Sequence, residues 1–247
     1  MTWDSGFTFY GDLLGIGAAY QLGPQVAYAK LDDFYNTVFG RFQERCDQPG
    51  DQLQVHMFSD SVVVWSRHAD RILDDLLTLY LKLLGRGLLL RGAIVDGALE
   101  REPRVEGRNF RKFLPANDTL ARAVGLEKTV KGARLLIEPA LAQKILSDQQ
   151  QWLTVEGYVA HPDALVPMDS ILRRICPAPS GSTYELLYGW SNVRTPEDVA
   201  VDGIASALGE ATEFHDAQVA EHFSETIKVL HRSELRQRQS ERALTGV

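Results

Sequence analysis

The stretch LQVHMFSDSVVVWS, residues 53–66, limits what this chain can fold into more than any other. Runs rich in Val, Met, Phe and Trp flank a short polar pair, Ser59-Asp60. Such side chains suit a pleated, half-buried surface and a polar pair suits a tight reversal, so the stretch predicts two strands folded as a hairpin. On both sides of it the apolar spacing changes. From Pro24 to Cys46, Ala27, Leu31, Phe34, Tyr35, Val38 and Phe42 recur at helical steps, and the proline lies in the first turn. Residues 67–86 repeat the pattern through Ile72, Leu76, Leu77, Tyr80, Leu83 and Leu84. An aromatic and apolar strand at residues 7–14 precedes the first helix, and GLLLRGAIVDGAL, a near-continuous apolar strand with one arginine, follows the second. The order strand–helix–hairpin–helix–strand predicts an α+β fold, a ferredoxin-like antiparallel sheet covered on one face by helices.

Beyond this unit the pattern predicts a loop or arm in the charged residues 100–113. It then predicts a helix around 117–128, a strand in ARLLIE, a short helix opened by Glu138-Pro139, and strands in WLTVEGYVA and TYELLYGW. Helical spacing dominates from about Pro196 to Arg238. The expected division is a main domain over residues 1–190 and a C-terminal helical extension over 191–247.

Within the first strand, FYGDLLGIGA places Asp12 in an apolar run and follows it with Gly15 and Gly17. An unpaired ionised carboxylate is expensive to bury, so a metal, a base or a nest of donors should await it. In a ferredoxin-like sheet the first strand lies beside the hairpin, which carries Asp60 at its tip. Two bare carboxylates at one end of adjacent strands repel, and the arrangement makes sense if divalent cations bridge them. Carboxylate and phosphate oxygens are the usual shell of Mg²⁺ or Mn²⁺. The glycines supply a turn where backbone N–H groups can face phosphate oxygens.

Taken together, FYGDLLGIG, MFSDSVVVW and LRGAIVDG resemble the catalytic domain of the nucleotidyl cyclases, the adenylate and guanylate cyclase superfamily, over residues 7–145. FYGDLLG, FYNTVF and MFSDSVVVWS are more closely similar to the uridylate cyclases of the bacterial Pycsar anti-phage systems. The resemblance implies that Asp12, Asp60 and the Leu13 backbone carbonyl bind two divalent ions, Mn²⁺ or Mg²⁺. It implies that Gly15, Ile16 and Gly17 hold the β- and γ-phosphates and that Arg91 contacts the triphosphate. His56, four residues before Asp60, stands where purine cyclases of the superfamily carry a base-reading Lys or Glu, which favours a pyrimidine. Phe9 and Tyr10 suit the core, although an aromatic beside the phosphate loop could touch the nucleotide, and Phe9 is carried as that further contact. In LPANDTLARAVGLEK the family's Asn and Arg, which face the partner chain's site, match Asn117 and Arg122. They lie five positions apart where the family has four, so Thr119 aligns about as well as Asn117, and Arg108 and Arg111 rival Arg122. The implied activity converts UTP to 3′,5′-cyclic UMP and pyrophosphate in a homodimer, as an antiviral messenger read by a separate receptor. Cytidylate or purine cyclisation is the alternative, as is a non-catalytic nucleotide-binding regulator.

Each of these residues also has a plainer role to play. Asp12 could cap a turn, Asp60 could be ordinary hairpin-tip chemistry, Arg91 could be salt-bridged within the sheet, and His56 could be a satisfied structural histidine. The net charge of −7 argues against a chain that grips nucleic acid or anionic membrane through bulk charge. Two distant cysteines, Cys46 and Cys176, argue against a disulfide scaffold or a thiolate zinc site and fit a reducing compartment. No apolar run approaches the roughly 20 residues of a membrane helix, and MTWDSGFTFYG lacks the pattern of a secretory leader. The expectation is a cytoplasmic protein.

Overall fold

The computed structural model describes residues 2–48, 52–100, 115–147, 174–188 and 217–245. Apart from Glu100, the expected arm at 100–113, with Arg108 and Arg111, lies outside the described residues, as do the strand WLTVEGYVA and the first part of the C-terminal helical stretch.

In chain order the elements are β1 (Thr2–Leu13), α1 (Ile16–Leu22), α2 (Pro24–Cys46), β2 (Leu53–Phe58), β3 (Ser61–His68), α3 (Ala69–Leu84) and β4 (Leu90–Asp96). Then follow α4 (Thr119–Glu127), β5 (Leu135–Ile137), α5 (Pro139–Ser147), β6 (Ile175–Pro177), β7 (Tyr184–Leu186) and α6 (Ala217–Thr245). The described strands form one seven-stranded sheet in the order β2-β3-β1-β4-β5-β7-β6. Its first four strands are antiparallel and reproduce the expected ferredoxin-like order, with β1 between β3 and β4. β5 joins β4 in parallel, so the sheet as a whole is mixed.

Alternation along the strands separates two faces. Phe7, Phe9 and Leu13 of β1, Val62 and Val64 of β3 and Leu90 and Ile94 of β4 point into the main core. There they meet Phe34, Val38 and Phe42 of α2 and Ile72, Leu76, Leu79, Tyr80 and Leu83 of α3, all at most 1% exposed. α2 begins at Pro24 in the first helical position and ends at Cys46, with Asp47 as its C-cap, and its apolar stripe lies between them.

The expectation of helices on one face only is corrected on the other. There Ala93 and Leu136 form a smaller apolar cluster with Leu126 of α4, and Ala123 of α4 is fully buried. Ala93 and Leu136 leave an apolar patch that a second layer must cover.

Phe9 is fully buried and meets Tyr80 edge-on, with ring centroids 6.3 Å apart. Its ring lies over Gly11 and Gly92, where a Cβ would come within 2.7 Å and 2.5 Å of it. The two glycines are therefore the space Phe9 occupies. Gly92→Ala, which also drives a methyl within 2.7 Å of the Tyr10 carbonyl oxygen, is expected to lower stability by about 1–3 kcal/mol, measured by urea unfolding. Phe9→Leu in the Gly92→Ala background should return part of the loss.

The C-terminal helix is fastened to the sheet through a buried arginine. Arg134, 1% exposed, donates to Glu185 of β7 at 2.6 Å, to Glu225 of α6 at 2.8 Å and to the Lys131 carbonyl at 2.7 Å. Glu185, equally buried, also pairs with Arg232 of α6. The Thr226 hydroxyl accepts from the Ala133 N–H, the Ser233 hydroxyl accepts from the Tyr188 N–H, and Val229 and Leu230 bury against the core. Among the described residues, no helix is long and apolar enough to cross a membrane.

Candidate active site

The register brings the two predicted acids to the same end of the sheet. Asp12, near the end of β1, lies directly opposite Ser61 of β3 and Arg91 of β4. The Leu13 N–H donates to the Asp60 carbonyl oxygen at 2.8 Å, which fixes the hairpin tip against the end of β1. At that tip Ser59 turns through a left-handed conformation, φ 52°, between the last pair of β2 and β3, Phe58 and Ser61.

Asp12 is half-buried, and Ser61 Oγ donates to its Oδ1 at 3.0 Å. Burial holds the Asp12 carboxyl above the ordinary carboxylate range. The Ser61 hydrogen bond and the Arg91 charge oppose that shift, and the charge of Asp60 adds to it. A divalent cation would relieve both the burial and the repulsion. The donor set fits one: two carboxylates with the Leu13 carbonyl are hard oxygen ligands. Among the described residues no group of three or more His, Cys, Asp or Glu could hold a metal, so other oxygens would have to complete the shell.

Beyond Leu13 the chain turns through Leu14 and Gly15 into α1. Gly15 is left-handed, φ 84°, a conformation that glycine adopts at no steric cost. Its carbonyl accepts the first helical bond from the Ala19 N–H at 3.0 Å, and no side chain caps the helix start. The amide groups of the first turn are thus left to other partners. Gly15 and Gly17 are exposed, whereas the Ile16 side chain is buried, so Ile16 can offer only its backbone.

Arg91 is held by a partner within the chain. Its side chain is 14% exposed, and its Nε is ion-paired to Glu127 at the end of α4, a carboxylate 1% exposed. Burial raises the Glu127 pKa, and Arg91 opposes the shift. The salt-bridged arrangement weighed for this arginine is the one present, with the guanidinium still close enough to Asp12 to favour its ionised form.

His56 and Phe58 lie on the face opposite Val55 and Met57, as their alternation predicts, with rings stacked at 6.5 Å and 20°. His56 is opposite Val63, which is opposite Tyr10; Phe58 is opposite Ser61, which is opposite Asp12. His56 therefore shares the acids' face, two strands across and two residues along from Asp12, about 12 Å between Cα atoms. One nucleotide can bridge that span.

Phe9 is corrected: it belongs to the core on the opposite face and does not reach the site. Tyr10 takes its place beside the acids, its hydroxyl 3.2 Å from Ser61 Oγ. Period-two counting back from Asp12 selects Tyr10 over Phe9, and that was the signal available. Ser61 and Glu127 were also missed. Ser61 was hidden in the turn, and Glu127 lies 36 residues from Arg91 with no local sign of pairing.

Asn117 and Arg122 are not brought to this site within one chain. Asn117 donates to the Ala98 carbonyl at 2.9 Å and accepts from the Thr119 N–H. Arg122, its side chain 37% exposed, pairs with Glu138 at 2.5 Å and donates to the Asp96 carbonyl at 2.7 Å. Asp96 ends β4 five residues past Arg91, so Arg122 sits about 17 Å along the sheet from Asp12.

Solved structures of adenylate cyclases from Trypanosoma brucei in their monomeric state are similar to this chain. Two of them share 12% and 13% identity with it, over 59% and 60% of this chain and 78% of each of theirs, with a TM-score of 0.46. No family model and no curated protein matches the chain.

Proposed function

We propose that this chain is a divalent-metal-dependent nucleotidyl cyclase that converts UTP to 3′,5′-cyclic UMP and pyrophosphate. The observation that carries the reading is that the Leu13 N–H to Asp60 carbonyl hydrogen bond sets Asp60 against the end of β1 that carries Asp12, near enough for the Asp60 charge to act on the Asp12 carboxyl. In this reading Asp12, Asp60 and the Leu13 carbonyl hold two Mn²⁺ or Mg²⁺ ions. Bound there, the ions would lower the pKa of the ribose 3′-hydroxyl and neutralise the phosphates for in-line displacement of pyrophosphate. The backbone N–H groups of Gly15, Ile16 and Gly17 face the β- and γ-phosphates. Arg91 supplies positive charge beside them while Glu127 fixes its position. The His56 ring, on the same face and a nucleotide's length away, reads the base edge.

UTP is the substrate of choice because FYGDLLG and MFSDSVVVWS resemble uridylate cyclases and because His56 replaces the purine-reading Lys or Glu. Asn117 and Arg122, at the other end of the sheet, serve the site of a second copy, so the working unit is a homodimer. The catalytic domain of this reading spans residues 1–190, with residues 191–247 as its helical extension. The cyclic product acts on a separate receptor in anti-phage defence.

Incubation of the chain with each of the four NTPs and Mn²⁺, followed by separation of products, tests the reading. Cyclic UMP with stoichiometric pyrophosphate is expected. Another cyclic mononucleotide would overturn the choice of base and keep the class. A dinucleotide or longer product would make the chain a different two-metal phosphoryl-transfer enzyme, and no pyrophosphate from any NTP would make it a binding module.

A further inference from the structure

The Ser61 hydroxyl carries one proton, and it is 3.0 Å from Asp12 Oδ1, an atom that can only accept when the carboxylate is ionised. Ser61 Oγ must then accept from its other neighbour, the Tyr10 hydroxyl at 3.2 Å. The three groups stand on one face: Asp12 is directly opposite Ser61, and Tyr10 is two residues before Asp12 on β1. Tyr10 is itself half-buried between its cross-strand partners Val63 and Ala93, both at most 1% exposed, so its ring has little freedom to leave.

We propose that Tyr10 and Ser61 form a directional pair of hydroxyls that orients the Asp12 carboxylate for its cations. The inference rests on the metal-binding reading of Asp12 and Asp60. Tyr10 donates to Ser61 and Ser61 donates to Oδ1, which occupies one lone-pair direction and stops the carboxylate rotating. The other oxygen is left to face outward. Each donor polarises the next, so the bond to Asp12 is stronger for having Tyr10 behind it. Tyr10 and Ser61 are positioning residues, and the effect of Tyr10 passes wholly through Ser61. Outer groups of this kind are worth about 10–100-fold in metal affinity.

The test is Mn²⁺ binding to the full chain in the presence of 3′-deoxy-UTP, which lacks the attacking hydroxyl, so no turnover enters the measurement. Ser61→Ala should weaken Mn²⁺ about tenfold, the low end of that range. Tyr10→Phe should weaken it roughly threefold, as loss of one net hydrogen bond implies. Ser61→Thr, which keeps the hydroxyl, should bind as wild type does. The double variant Tyr10→Phe/Ser61→Ala should be no weaker than Ser61→Ala alone, a non-additivity that a general loosening of the sheet would not give. If both single variants bind Mn²⁺ like wild type while Asp12→Ala does not, the hydroxyl pair is overturned and the metal site stands. If Asp12→Ala binds Mn²⁺ as well as wild type, the metal reading falls and this inference with it.

Discussion

Asp60→Ala is expected to lose at least about 10³-fold in turnover while its unfolding midpoint stays close to that of wild type. In the proposed reading Asp60 is a metal ligand; such a ligand stabilises the transition state by several kcal/mol, and each ~1.4 kcal/mol is a factor of ten. Asp60 sits in a hairpin tip and contributes no side chain to the core. Its structural bond, the one accepted from the Leu13 N–H, belongs to the backbone and survives substitution. Pyrophosphate release at saturating UTP and Mn²⁺, with thermal unfolding on the same samples, separates chemistry from stability. Asp12→Ala should lose as much activity. It should be tolerated at least as well in stability, because it removes a half-buried carboxylate whose charge is held at a disadvantage by burial and by Asp60. Full activity in Asp60→Ala would end the assignment.

Glu185→Ala is expected to destabilise the fold by about 3–5 kcal/mol, because it strands the buried Arg134 and removes a partner of Arg232. Against a total stability of about 5–15 kcal/mol this is a large fraction. Glu225 remains on Arg134, so the guanidinium is not wholly without charge compensation, which places the value toward the lower end. Replacement of the buried pair together, Arg134→Met with Glu185→Leu, should recover part of the loss, since it removes the orphaned Arg134 charge but still leaves Arg232 without Glu185 and Glu225 without Arg134. Urea unfolding followed by circular dichroism reads both. A loss under 1 kcal/mol for Glu185→Ala would show that the contact between α6 and the sheet does not depend on this cluster.

Much of this architecture was legible because it follows periodicities the chain writes locally. The α2 boundaries fell where Pro24 and the last apolar step placed them, and the Ser59-Asp60 tip followed from the change of spacing around it. The juxtaposition of Asp12 with Asp60 needed only the strand order. What escaped had other causes. The three-residue strand β6 is too short to show a period, and α1, seven residues long, stands where the glycines predict only a turn. Parity with Asp12 and nearness along the chain both favour Tyr10 over Phe9 as the aromatic residue beside the acids. The Arg91–Glu127 pair and the Arg134 cluster join residues 36 and more positions apart, and charge complementarity at that range leaves no mark in a single sequence.

Gly11 and Gly92, beneath the Phe9 ring, are the immediate chain neighbours of Asp12 and Arg91. The oily side of the sheet and its charged side are thus built on the same few peptide units. A change that shifts one strand against another to relieve crowding behind the sheet must also shift the spacing of the charged groups in front. Variation in this part of the core is therefore constrained twice, once by packing behind the sheet and once by the spacing of the charged groups in front, and a substitution that merely preserves volume does not satisfy both.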